Sequence, residues 1–341
     1  MSQAPGRLTQ RDIARLAGVS QTTVSLVLNN RPDAARIAPE TRERVLRVIR
    51  ETGYAADPLA RRMLKQLNQI LGVFTYEPVF PSTSADFYYP FLRGIEESAE
   101  ESGCDLLLFT SAPVQDGLRR IFHENNRLRV ADGCVLLGRE IPAAELSRLV
   151  AEEYPFVCVG RRDDADGRAV PYVGADYVAA TAEQVDRARA SGHERFAFVG
   201  PGAGAESSAD RLAGFRRAAG EDAPQVGVEV PEPADRLERI LDAGATAVFV
   251  DFLSDAVELT HAAHARGLRI PEDLSVIALG DPTTPVEAPY AYTGFTIPRQ
   301  EMGRQAVELL TQMLHGQAPV TQRLLACRPV QGGTLAPPPR R

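Results

Sequence analysis

Thr9 to Asn29, TQRDIARLAGVSQTTVSLVLN, reads as two short helices joined by a tight turn. Thr9 can cap a helix whose third position is Asp12, an acidic variant of the capping box. Ile13, Leu16 and Ala17 repeat at helical spacing and give that helix an apolar face. Gly18 supplies the permissive backbone that ends it, and Ser20 offers a hydroxyl cap to a second helix carrying Val24, Val27 and Leu28. A third helix, roughly Pro39 to Thr52, starts with Pro in its first turn, buries Val45, Leu46 and Ile49, and stops at Gly53. Three such helices close a small core, which predicts an all-α helix-turn-helix head over residues 1–56.

What this unit does follows from the side chains left outside. Gln21, Thr22, Thr23, Ser25 and Asn29 line the outer face of the second helix, where amides and hydroxyls can meet base edges and phosphate oxygens in a major groove. The face is expected to belong to a recognition helix; the competing reading is a polar surface met only by water. Charge favours the first. Residues 1–66 hold twelve basic side chains against six acidic ones, a surplus of six, whereas the formal net charge of the chain is -7, so the remainder carries -13. A basic head on an acidic body suits a molecule of which only the head approaches a polyanion.

From Gln69 onward, short β-branched or apolar runs alternate with amphipathic helical stretches, the pattern of an α/β body. The expected strands are Ile70 to Thr75, Asp105 to Thr110, Gly133 to Leu137, Phe156 to Val159, Tyr172 to Gly174, Phe196 to Gly200, Gln225 to Val230, Ala247 to Asp251 and Ser275 to Leu279. Continuous apolar runs of this kind are what buried parallel strands look like. About 270 residues exceed the usual single α/β core, so two lobes are expected.

The runs RDIARLAGVSQTTVSLVLN, IAPETRERVLRVIRETGY and DPLARRMLK resemble the LacI/GalR family of bacterial transcription regulators. The likeness continues through LRGIEESAEESGCDLLL, RVADGCVLLG, GADYVAATAEQ, SGHERFAFVG, RLAGF, RGLRIPEDLSVIALGD and IPRQEMGRQAVELL, so it covers nearly the whole chain. It implies a bilobal periplasmic-binding-protein-like α/β body of two open, mostly parallel sheets over residues 69–341. Three crossovers are expected near Arg168 to Pro171, Thr296 to Pro298 and Ala326 to Pro329, with helix Arg299 to His315 returning to the first lobe. The first lobe then spans about 69–169 and 298–325, and the second about 170–297 and 326–335. Residues 57–68 become a hinge helix and linker that orders on the operator. By alignment Met63 wedges into the minor groove, and Arg61 and Arg62 hold nearby phosphates; the alternative is a plain connecting helix.

The DNA-contacting set implied for the head is Thr9, Ser20, Gln21, Thr22, Thr23, Ser25, Leu26, Asn29 and Thr41. Leu26 stands where many relatives carry an arginine, so base readout is expected to rest on Gln21 and Thr22, with Leu26 offering apolar contact to thymine methyls. Ala38 stands where a serine often caps the third helix, a loss of about 1 kcal/mol that Thr41 and Pro39 offset in part. The loop Asn30 to Ile37 is longer than usual.

An effector is expected in the cleft between lobes, outside the carboxyl ends of the strands. Phe87, Tyr88 and Tyr89 match the family loop from which an aromatic ring covers the ligand, with local core packing as the alternative for each. Arg161 and Arg211 match arginines that reach ligand oxygens in relatives. Asp176 and Asp281 end segments facing the cleft or flanking a crossover, where helix capping is the competing role. Many relatives carry an Asn-Asp pair where this chain reads Asp251, Phe252 and Leu253, so Phe252 puts apolar surface in place of a polar clamp. A sugar is the first expectation from the family, with a less polar ligand or an acid as alternatives.

Other signals are weaker. GPGAGAESS, Gly200 to Ser208, nearly spells a dinucleotide fingerprint, but its sixth position is Ala205, so no cofactor is expected. His261 and His264 lie three apart on an expected helix with no cysteine or acid to complete a metal set. Cys104, Cys134, Cys158 and Cys327 show no paired spacing and read as reduced, mostly core residues. No apolar run reaches the roughly eighteen residues of a membrane span, and the N-terminus is polar, so a cytoplasmic protein is expected. The tail LAPPPRR has no leucine heptads, which favours a homodimer over a coiled-coil tetramer. The leading expectation is a regulator, a repressor, whose dimer binds a near-palindromic double-stranded DNA operator under control of a small-molecule effector. The rival is a small-molecule-binding protein or enzyme of the same body fold with no sequence-specific DNA role, although no nucleophile, base and orienting group stand at recognisable spacing. A third reading, an architectural DNA binder, leaves the bilobal body unexplained.

Overall fold

The computed structural model of the chain describes residues 8–28, 37–52, 67–77, 85–227, 229–282, 286–318 and 321–339. The chain divides into two units, Met1–Asn68 and Gln69–Arg341.

The head has helices α1 (Gln10–Ala17), α2 (Gln21–Leu28) and α3 (Pro39–Thr52). Thr9 and Asp12 form the reciprocal capping box, the Thr9 amide donating to Asp12 Oδ2 at 3.0 Å and the Asp12 amide to Thr9 Oγ1 at 3.4 Å. Gly18 closes α1 at φ 62°, a left-handed conformation that favours glycine. Ile13, Ala14, Ala17, Val24, Val27 and Val45 form the small core. Leu16 does not join it and is 54% exposed. At 3.6 residues per turn, Ile13, Ala14 and Ala17 share one stripe while Leu16 falls on its far flank. Arg44 Nε donates to the Ala17 carbonyl at 2.9 Å, meeting an end-of-helix acceptor and tying α3 to α1.

The body holds β1 (Ile70–Thr75), α4 (Ala85–Glu101), β2 (Asp105–Phe109), β3 (Val114–Gln115), β4 (Leu118–Arg119), β5 (Gly133–Leu137), α5 (Ala143–Ala151), β6 (Phe156–Val159) and β7 (Tyr172–Ala175). There follow α6 (Tyr177–Ala190), β8 (Phe196–Val199), α7 (Glu206–Ala219), β9 (Gln225–Val226), α8 (Pro233–Asp242), β10 (Ala247–Val250), α9 (Leu253–Ala265) and β11 (Ser275–Ala278). The chain closes with β12 (Thr293–Thr296), α10 (Arg299–Leu314), β13 (Gln322–Leu325) and β14 (Arg328–Val330).

Two six-stranded sheets result, in the orders β13-β7-β6-β5-β1-β2 and β14-β12-β11-β10-β8-β9. Every pairing in the first is parallel, with Val73 opposite both Leu108 and Val135. The second has one antiparallel edge, β12 against β14. The last two crossings fall between β12 and α10 and between β13 and β14.

The first crossing corrects the sequence reading. Tyr172–Ala175 pairs with β6 and β13 of the first sheet, so the chain leaves that lobe at Ala175 and Asp176 rather than near Arg168 to Pro171. The first lobe therefore gains a strand. The expected strand from Gln225 extends only to Val226. A hairpin, β3 and β4, turns on Asp116 and Gly117, both with positive φ (52° and 79°), the conformation Asp-Gly supplies readily in a two-residue turn.

Helices α4 and α10 pack at backbone contact where Gly94 faces Gln300 and Gly303 faces Phe91; a Cβ on either glycine would overlap the opposing backbone. Buried Cys134 and Cys158 occupy adjacent strands, and burial pushes the Cys158 thiol up to about 12.

Candidate nucleic-acid interface and effector cleft

In the head, the N-terminus of α2 is the organising feature. Ser20 Oγ accepts the Thr23 amide at 3.1 Å and lies 2.9 Å from Thr23 Oγ1, so this hydroxyl caps the helix as Thr9 caps α1. Gln21 and Thr22 stand exposed at its first turn, and Thr23, Ser25 and Leu26 are half-buried along it. Gln21 Oε1 accepts from Arg11 Nε at 3.4 Å, which brings a basic side chain beside an exposed amide. Thr41 is half-buried at the start of α3. Asn29, Arg61 and Met63 lie outside the described residues. The surface joins neutral hydrogen-bonding groups, able to read base edges, to an arginine, Arg11, able to hold a phosphate.

In the body, the carboxyl ends of β5, β6, β8, β10 and β11 deliver side chains to one cleft between lobes. Phe87, Phe91, Gly138, Arg139, Arg161 and Arg162 line it from the first lobe, joined by Met302 of α10. The second lobe brings Tyr177, Ser207, Asp210, Arg211, Asp251, Phe252 and Asp281. Open parallel sheets place ligand sites here because loops and helix N-termini converge outside the strand ends.

Five of the expected residues, Phe87, Arg161, Arg211, Phe252 and Asp281, meet in this cleft. Three others do not line it. Tyr88 is buried with its hydroxyl donating to Glu77, and burial together with that carboxylate raises its pKa strongly. Tyr89 is 64% exposed. Asp176 accepts the Ala179 amide at 2.9 Å and caps α6. The helical path of α4 explains the sorting, since Phe87 and Phe91, four residues apart, share a face that their neighbours cannot.

Charge pairs cross the cleft. Arg161 Nε donates to Asp210 Oδ2 at 2.7 Å, and Arg162 Nη1 to Glu206 Oε2 at 2.8 Å. Burial alone would lower the Arg161 pKa, but its hydrogen bonds to Asp210 and Asp163 outweigh that and raise it. Arg139 lies 5.2 Å from the centroid of the Phe252 ring, and Arg299 Nε 3.8 Å from Asp281 Oδ2. Arg211 packs over Tyr177 at 4.0 Å; burial pushes that phenol up to about 12 although the guanidinium opposes the shift. Sequence reasoning does not single out Arg139, Arg162, Tyr177 and Asp210 as site residues, and it names Asp251 only as standing in place of the family's polar pair. The double arginine after the FVCV strand was the one local hint of Arg162. Among the described residues no group of three His, Cys, Asp or Glu side chains could hold a metal ion.

The sequence matches three profiles. Residues 9–57 match "Bacterial regulatory proteins, lacI family", residues 77–233 "Periplasmic binding proteins and sugar binding domain of LacI family", and residues 185–335 "Periplasmic binding protein-like domain". The chain is 28% identical over 320 residues to catabolite control protein A of Priestia megaterium, covering 90% of this chain and 93% of that protein. Its fold is shared with the lac repressor dimer bound to operator and the anti-inducer ONPF, at a TM-score of 0.70 and 20% identity over 96% of this chain and 99% of that one. A complex of the transcriptional regulator CelR with cellobiose has a TM-score of 0.60 at 24% identity, covering 96% of this chain and 100% of that one. With its helix-turn-helix head and periplasmic-binding-protein-like body, the chain belongs to the LacI family of bacterial transcription regulators.

Proposed function

We propose that this regulator is a cytoplasmic repressor that binds a near-palindromic operator as a homodimer and changes its operator affinity when a small molecule occupies the interlobe cleft. The observation that carries the reading is the presence in one chain of a capped helix with outward amide and hydroxyl groups and a cleft lined by charged side chains from two lobes. Two-fold protein symmetry selects two half-sites, and Arg61 and Met63 would engage the operator's centre as the family resemblance implies. The lac repressor noted above was solved as a dimer on operator, and CelR with cellobiose, which supports DNA and a sugar-like effector as partners here. Among the described residues no helix is long and apolar enough to cross a membrane.

A coupling of about 1–3 kcal/mol between cleft and head suffices for a 5- to 150-fold change in operator affinity. The test is selection of bound chromosomal fragments by purified protein, followed by titration of metabolites into the complex. A palindromic consensus and a metabolite that shifts affinity are expected. Binding without preference over random competitor DNA at moderate salt, whatever metabolite is added, overturns the reading.

A further inference from the structure

The two walls of the cleft carry opposite charge. Arg139, Arg161 and Arg162 stand on the first lobe; Asp210 and Glu206 meet Arg161 and Arg162 from the second, where Asp251 lies beside that wall's basic group, Arg211. Two of these side chains are more than nine-tenths buried and retain unmet hydrogen-bonding capacity among the described residues. The Arg162 side chain is 4% exposed; Nη1 donates to Glu206 and to the Arg161 carbonyl, Nη2 donates to the Gly138 carbonyl, and Nε has no acceptor among the described residues. The Asp251 side chain is 0% exposed, and neither carboxylate oxygen accepts a hydrogen bond. Arg211 Nη1 approaches Asp251 Oδ1 to 3.2 Å, close enough for charge attraction, while its recorded hydrogen bonds go elsewhere, from Nε to the Leu279 carbonyl at 2.6 Å and from Nη1 to the Ser207 carbonyl at 3.1 Å. An unmet buried donor or acceptor costs about 1–3 kcal/mol, and more when charged.

A ligand meeting both groups must offer an acceptor to the first lobe and donors to the second. Guanidinium matches carboxylate and phosphate in both charge and fork geometry, which a neutral acceptor cannot do, and a carboxylate only accepts. Resting on the cleft as the effector site, we propose that its effector is a small dipolar molecule: an anionic group, carboxylate or phosphate, faces Arg162 and Arg139, and hydroxyl or ammonium donors face Asp251. The cleft as it stands encloses about 80 Å³, room for a handful of water molecules. A larger ligand must part the lobes, and an anion that takes Arg162 from Glu206 removes one of the bonds holding them.

The test uses the full chain and a pyranose series at fixed ionic strength: glucose, glucosamine, glucuronate, glucose 6-phosphate and glucosamine 6-phosphate. Binding is read by calorimetry and by thermal shift. The anionic members are expected to bind at least tenfold tighter than glucose, with glucuronate against glucose 6-phosphate separating carboxylate from phosphate. Arg162→Gln should abolish that preference, and the surface variant Arg139→Gln should weaken it severalfold at unchanged thermal stability. Glucose or glucosamine binding as tightly as the acids, no binding by any member, or preference intact in both variants overturns the proposal. If a neutral metabolite shifts operator affinity where the acids do not, the sensor role stands and the charge assignment falls; if the protein selects no DNA, the sensor role itself falls.

Discussion

Arg161 Nε lies 2.7 Å from Asp210 Oδ2 across the cleft, and the next residue, Arg162, repeats the arrangement with Glu206 at 2.8 Å. Consecutive arginines at one strand end thus meet two acids spaced i, i+4 on the first turns of α7, so both bonds form or break together with one motion of the lobes.

These pairs should hold the unliganded body closed. Glu206→Gln combined with Asp210→Asn is expected to lengthen the interlobe distance seen by fluorescence transfer between labels on the two lobes, and high salt should lengthen it in the parent protein. Arg162→Ala should cost more, about 3–5 kcal/mol, because it leaves Glu206 partly buried and unpaired. An unchanged distance in the double variant would remove the latch.

Glycines set the closeness of the crossing between α4 and α10. Helix propensity alone makes Gly303→Ala stabilising by about 1 kcal/mol. Packing predicts the opposite, since the added Cβ would overlap the Phe91 carbonyl, backbone that cannot swing away. Forcing an extra carbon into a packed contact costs about 1–3 kcal/mol, so denaturant unfolding should show a net loss, and Gly94→Ala the same. A gain in either would mean that the helices slide apart at little cost.

The head was almost fully legible in sequence because caps and periodicity act locally: Thr9, Asp12, Gly18 and Ser20 specify their own turns. Leu16 escaped because spacing marks a face without saying which flank the partner helices cover. In the body, Tyr172–Ala175 was recognisable as a strand but not as a member of the first sheet, since a buried parallel strand looks alike in either lobe. The family resemblance points to Arg161 and Arg211. Arg162 and Asp210 are not legible there because each finds its partner on the opposite lobe, at long separation in sequence.

His193 makes the stability of the body depend on pH. Its buried ring joins distant segments, Nδ1 lying 2.8 Å from Thr246 Oγ1 and Nε2 2.7 Å from the Ala336 carbonyl. Burial lowers its pKa below the ordinary 6.5, although the Ala336 carbonyl partly opposes this. A depressed folded-state pKa means that the unfolded chain takes up the proton first. The stabilisation is therefore present above 6.5 and lost as pH falls through the lower folded-state value. Melting temperature should drop as pH is lowered from about 7.5 to 5.5, and His193→Gln should flatten that slope; an equal slope in the variant would assign it to other groups.

Ser20 and Gln21 are adjacent, yet their substitutions should differ in kind. Ser20→Ala removes the hydroxyl that accepts the Thr23 amide and should destabilise α2 by about 1 kcal/mol, weakening binding to every DNA sequence alike. Gln21 is exposed and caps nothing, so Gln21→Ala should leave thermal stability unchanged and alter discrimination at one operator position by about 1–3 kcal/mol. Binding measured against a set of single-base operator variants separates the two outcomes. If Gln21→Ala instead lowers affinity equally on all of them, its amide holds backbone phosphate, and base readout on this helix passes to Thr22.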